Sequence, residues 1–211
     1  GSSEAAAEKV RLTSAGKLGI GTTSPSTTLH VDSGGTPTTL QIDSDTEASI
    51  HFNDHGGSAQ AFKIGTNISG NTGNLEIYDV TDSALVMSVD GAGHITKPLQ
   101  PAFLVRPSSQ QDNIPINATT TIVFDSEVFD QNGDFASNTF TAPVTGRYQL
   151  NAQLLIQQMD KDTDYIQMSL VTSNRTFYAW HDNDGMAADM PNGREANIIV
   201  LADMDANDTA Y

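Results

Sequence analysis

The chain has 211 residues, 37% of them hydrophobic, and carries 26 acidic against 10 basic side chains for a net charge of −16. Nucleic-acid binding, which requires a basic surface, is disfavoured by that balance. The absence of cysteine excludes disulfide stapling and thiol chemistry. No run approaches the ~18–20 apolar residues of a membrane-spanning helix, so membrane insertion is not expected.

Gly, Ser, Thr, Asn and Asp are abundant, which favours an all-β protein with short strands and many turns. The first ten residues hold one short helix-favouring run, Glu4 to Lys9, too brief to be stable alone. Next comes VRLTSAGKLGIGTTSPSTTLHV. Leu12, Gly16, Leu18 and Ile20 read as strand, turn, strand, with Gly16 supplying the positive φ of a tight turn. Gly19 and Gly21 leave room for close backbone approach. Ser24-Pro25 interrupts the pattern, and Leu29 and Val31 restart it. The unit returns at VMSVDGAGHITKP, where Val89, Gly93 and Ile95 repeat the spacing of Leu12, Gly16 and Leu18.

Between these copies lie short alternating runs at 40–42, 49–52, 62–65, 75–78 and 84–89, separated by turn clusters. None carries enough apolar residues for a large private core. Three chains around one axis would pool their inward faces, so the region reads as a trimeric β-rich shaft of prism or meander type. Pro98, Pro101 and Pro107 then break regular pairing and mark a junction over 99–107. The strongest fold signal follows between Thr121 and Tyr148, TIVFDSEVFDQNGDFASNTFTAPVTGRY.

Two resemblances enter at these residues. The phrase LTSAGKLGIGTTSPSTTLHV resembles a module repeated in bacteriophage tail fibres and tail-associated proteins, and also found in bacterial surface proteins. From Ala102 onward the chain is similar to the head of the complement-one-q family, a jelly-roll β-sandwich shared with tumour necrosis factor-like trimers. The signature residues are Phe124, Asp130, Phe135, Phe140, Gly146 and Tyr148, with Phe140 opening the run FTAPVTGRY. The segment between Phe135 and Phe140 is two residues shorter than the family pattern and is expected to be a trimmed hairpin. ANDTAY resembles a late element after which the family continues, so the jelly roll is expected to be incomplete at its C-terminal end.

These resemblances imply a shaft over 1–98, a Pro-rich junction over 99–107 and a head over 102–211. They imply a homotrimeric virion appendage, extracellular, that contacts other tail or baseplate proteins and attaches to a host-surface glycan or protein receptor. A bacterial adhesion module, a structural tail connector and a glycan-cleaving tail protein are the alternatives, in that order. No G-x-S-x-G elbow or other catalytic constellation is present, so the chain is not read as an enzyme.

The resemblance also makes calcium the one candidate ion. Asp160, Asp162 and Asp164 alternate as in a calcium loop, but Tyr165 and Val171 stand where an EF-hand needs Gly and a bidentate acid. Asp182 and Asp184, in HDNDG, are further candidates, and each of these groups reads first as solvated turn chemistry. His30, His51 and His94 lie in alternating runs and could form threefold rings on an axis. Phe177, Tyr178 and Trp180 share one strand, with Phe177 facing away from the other two. Tyr178 and Trp180 then face either the core, a subunit interface or a receptor.

Overall fold

The computed structural model describes residues 9–33, 40–57, 59–70, 73–183, 188–190 and 192–211. The chain is all-β, with seventeen strands and no helix among the described residues. No helix there is long and apolar enough to cross a membrane. The helix-favouring run from Glu4 lies almost wholly outside the described residues.

The first sheet contains β1 (Val10–Leu12), β2 (Leu18–Ile20) and β3 (Leu29–Val31). β1 and β2 form the expected hairpin, with Gly16 at φ +75°. β3 pairs with β2 in parallel, which alternation alone did not indicate. Parallel neighbours ordinarily need a connection of about a dozen residues or more. Here the short GIGTTSP loop suffices because it folds tightly against its own backbone. A Cβ on Gly19 would stand 2.6 Å from the Thr22 carbonyl oxygen, and one on Gly21 would stand 1.9 Å from that of Asp32. The two glycines of the motif are thus required by contact.

The second sheet is a meander of β4 (Ala48–Asn53), β5 (Ala61–Thr66), β6 (Leu75–Asp79), β7 (Ala84–Val89) and β8 (Ile95–Thr96). The β7–β8 turn reproduces the β1–β2 turn bond for bond. Gly16 N–H donates to Thr13 O at 3.0 Å and Gly93 N–H to Asp90 O at 3.0 Å. Thr13 N–H donates to Lys17 O, and Asp90 N–H to His94 O. The side chains of Thr13 and Asp90 each accept the amide four residues on. The repeat is therefore one of hydrogen bonding as well as of spacing. The run at 40–42 forms no strand.

Register places Ile50, Ile64, Ile77 and Met87 in one row across four strands. Phe52 and Phe62 pair beside that row, as do Leu75 and Val89. One face of the meander is therefore apolar, yet Ile50, Phe52, Phe62, Leu75 and Ile95 remain exposed. The opposite face is polar, with Ser49, Gly65, Glu76 and Ser88 in register. Glu76 is fully buried there, accepting Ser69 N–H at 2.8 Å and the Ser69 hydroxyl at 2.6 Å. Those bonds offset the cost of taking its carboxylate out of water.

The remaining strands surround one core. β9 (Phe103–Arg106) pairs with β10 (Ser126–Asp130), and β13 (Gly146–Ile156) runs antiparallel to β16 (Arg194–Met204) over eleven residue pairs. β11 (Phe135–Ala136), β12 (Thr139–Thr141) and β17 (Thr209–Ala210) form a ladder. A Thr172–Ala210 bridge connects that ladder to the hairpin of β14 (Tyr165–Val171) and β15 (Thr176–Asp182). Alternate residues of β13, β14 and β16 point inward, and Leu150, Met168, Leu170, Ala196, Ile198 and Met204 are buried in one cluster with Phe135 and Phe140.

Each signature residue has a physical task. Phe140, only 2% exposed, stacks on Phe103 at 5.2 Å and meets Tyr148 at 5.3 Å between ring centroids. Phe103 also stacks on Phe135. The Tyr148 hydroxyl donates to Val144 O at 2.6 Å, and Gly146 lies beside the Tyr148 ring, where an added Cβ would make an ordinary contact at 3.6 Å. Asp130 collects three backbone amides, from Gly133, Asp134 and Phe135. The Phe124 amide donates to Asn138 Oδ1 rather than to a strand. The trimmed segment is a two-residue hairpin whose loop residues, Ser137 and Asn138, both have positive φ (51° and 65°). That is the tight turn whose twist matches its flanking strands. Residues 121–124 lie outside any strand, and there Gln111 bonds both Thr121 O and Val123 N–H.

Phe140→Ala should destabilise the chain by about 3–5 kcal/mol, since truncating a fully buried aromatic removes transfer energy and leaves a cavity. Chemical denaturation followed by far-ultraviolet circular dichroism would measure this, and a loss under about 1 kcal/mol would contradict the placement of the core.

Candidate functional site

The hairpin β14–β15 has one face in the core and one in solvent. Met168 and Leu170 are buried, and Phe177 and Ala179 pack against the same cluster. Alternation then sends Tyr165, Gln167 and Ser169 outward on β14, and Tyr178, Trp180 and Asp182 outward on β15. Register sets Tyr165 opposite Asp182, Gln167 opposite Trp180 and Ser169 opposite Tyr178. The Tyr165 and Trp180 rings touch, 4.7 Å between centroids and tilted by 44°.

These rings are not covered. Tyr165 is 53% exposed, and Tyr178 and Trp180 are each 59% exposed. Asp164, Tyr165, Trp180 and Asp182 line an open depression of about 470 Å³. The end of the hairpin is held by Asn183 N–H donating to Asp164 O at 2.9 Å, and by Arg194, whose guanidinium donates to Asp182 O and Asn183 Oδ1. The depression therefore sits on an anchored strand pair, as a preorganised site requires.

Of the calcium candidates, Asp160 accepts the Asp162 amide at 2.8 Å and Asp162 pairs with the Lys161 ammonium. These are turn interactions. Asp164 and Asp182 come together at the aromatic depression instead. Asp184 lies outside the described residues. Among the described residues no three His, Asp or Glu side chains converge to hold a metal.

His30 and His94 serve local structure. His30 Nδ1 accepts the Ser26 amide, while His94 Nδ1 stands 2.9 Å from Asp90 Oδ2 in the repeated turn. The His94 ring, together with the His94 amide, holds the Asp90 carboxyl below the ordinary aspartate range. Ser108, through hydroxyl and amide, does the same for Asp125, and Ser49 and Lys63 for Glu47.

Sequence alternation placed Tyr178 and Trp180 together but missed Tyr165, Gln167 and Ser169. Their signal is the Ser173-Asn174 turn: counting back through the hairpin from Val171–Thr176 sets Tyr165 beside Asp182. No protein-family model matches the chain, and no curated protein matches it.

Because the folded-state value of Asp90 is depressed, its bonds support the β7–β8 turn above the unfolded aspartate value and are lost as pH falls through the lowered one. A carboxyl-detected NMR titration should place the Asp90 midpoint below that of an unstructured aspartate. His94→Ala should move it back up, and an unchanged midpoint would remove the His94 contribution.

Proposed function

We propose that this chain is part of a trimeric tail fibre or similar virion appendage that attaches to a host-cell surface. In this reading residues 1–98 form a shaft, 99–107 a junction and 102–211 a jelly-roll head. The observation that carries it is the apolar face of β4–β8, on which Ile50, Phe52, Phe62, Leu75 and Ile95 are exposed. Exposed apolar patches of this kind mark association surfaces. Ile199 and Leu201 on the outward face of β16, at 67% and 65% exposure, give the second half of the chain a similar surface.

Further support comes from the repeated turn, which a shaft built of modules would contain, and from the head's strand order. The order β11-β12-β17, continued by the Thr172 bridge to β14-β15 and packed around a core shared with β13–β16, is compatible with a jelly roll. Three heads on one shaft would engage a surface together, so weak single contacts sum to an avidity about 10²–10⁴ times higher. Other tail or baseplate proteins would hold the opposite end of the fibre. Attachment of this kind is binding without chemistry.

Fluorescently labelled chain should bind saturably to cells of at least one strain in a panel of bacteria and be displaced by unlabelled chain. Ile77→Asp, which puts a charge into the apolar row, should weaken that binding at least tenfold by dissociating the assembly. Absence of saturable binding to every strain would contradict an attachment role.

A further inference from the structure

We propose that the outward face of β14–β15 is a binding platform for a neutral pyranose, with the sugar ring lying on Trp180, which Tyr165 holds in place, and its hydroxyls donating to Asp164 and Asp182. The inference deepens the attachment reading and rests on it for biological role; the binding itself follows from the face.

The geometry of the rings selects the ligand shape. An aromatic cage for a cation needs ring faces spaced around it, each centroid within about 6 Å of the charge. Tyr165 and Trp180 instead touch one another at 4.7 Å and a 44° tilt, leaving no gap between them. Tyr165 thus packs against Trp180 and holds the indole, whose solvent side is an apolar ledge. What lies flat on such a ledge is a ligand with one apolar face, as a pyranose presents through its axial C–H bonds. Tyr178 lies two residues along β15 from Trp180, roughly 7 Å further on, so the ledge continues in the direction an extended glycan would take.

The polar groups select the charge. Ionised carboxylates only accept hydrogen bonds, so Asp164 and Asp182 suit hydroxyl donors and repel uronic, sialic, sulfated or phosphorylated sugars. The Gln167 amide and Ser169 hydroxyl, beside Trp180 and Tyr178, add both donors and acceptors. No basic side chain lines the depression. Its volume of about 470 Å³ is within the range of small-ligand sites, about 300–1,000 Å³.

Trp180 is the only tryptophan in the chain, so its emission reports on this site alone. The full chain would be titrated with methyl glucoside, methyl mannoside, methyl galactoside and N-acetylglucosamine, with glucuronate and glucosamine as charged controls. At least one neutral sugar should give a saturable change in the millimolar range, and glucuronate should bind at least tenfold more weakly. Tyr165→Ala should reduce affinity at least tenfold with an unchanged melting temperature. Paired Asp164→Asn and Asp182→Asn should reduce it several-fold and relax the discrimination against glucuronate. No saturable response to any neutral sugar up to about 100 mM, glucuronate binding equal to the neutral sugars, or wild-type affinity in Tyr165→Ala would each overturn the platform. Labelled chain applied to bacterial cells separates the two readings. Cell binding without sugar binding overturns the platform and leaves attachment standing, whereas sugar binding without cell binding keeps the platform and removes attachment.

Discussion

Ile50, Ile64, Ile77 and Met87 lie side by side across four strands of a single sheet, and on the face they form Ile50, Phe52, Phe62, Leu75 and Ile95 stay exposed. A meander of this kind is hydrogen-bonded internally, and side chains left in water forgo the apolar burial that offsets the entropy of ordering strands. In the proposed reading another copy supplies the cover, and the strands can then be short and polar on one side because their core is shared. The turns between them can be spent on capping, as with the Thr13 and Asp90 side chains.

The second half of the chain meets the same constraint differently. It has a private core, centred on Phe140 between Phe103 and Tyr148, and its alternating strands present two outward faces of different character. The β16 face, with Ile199 and Leu201, is aliphatic and suited to another copy. The β14–β15 face is aromatic with carboxylates at its edge, suited to a hydroxyl-rich ligand. In the proposed reading that separation lets one small domain assemble through one face and bind through the other.

Much of this was legible from residues. Gly16 and Gly93 fixed two turns, and Gly19 and Gly21 marked the close contacts of GIGTTSP because a Cβ would collide there. Asp130 and Tyr148 occupy positions whose hydrogen bonds hold the loops before and after the FTAPV run. What was not legible depended on distant pairing. The parallel β2–β3 contact, the capture of residues 121–124 by Gln111, and the meeting of Tyr165 with Trp180 all follow from register or side-chain bonding that local alternation does not encode. The run at 40–42 alternates yet finds no neighbour, which is why it forms no strand. The alternating acids at 160–164 suggested ligands, and in the structure Asp160 accepts the Asp162 amide while Asp162 pairs with Lys161.

The claim that the shaft sheet is completed by other copies is tested most directly by the mass of the full chain in solution, measured by light scattering across a dilution series together with the melting temperature. The account predicts the mass of three chains, with a melting temperature that rises with protein concentration. A single-chain mass with a concentration-independent melting temperature would contradict it.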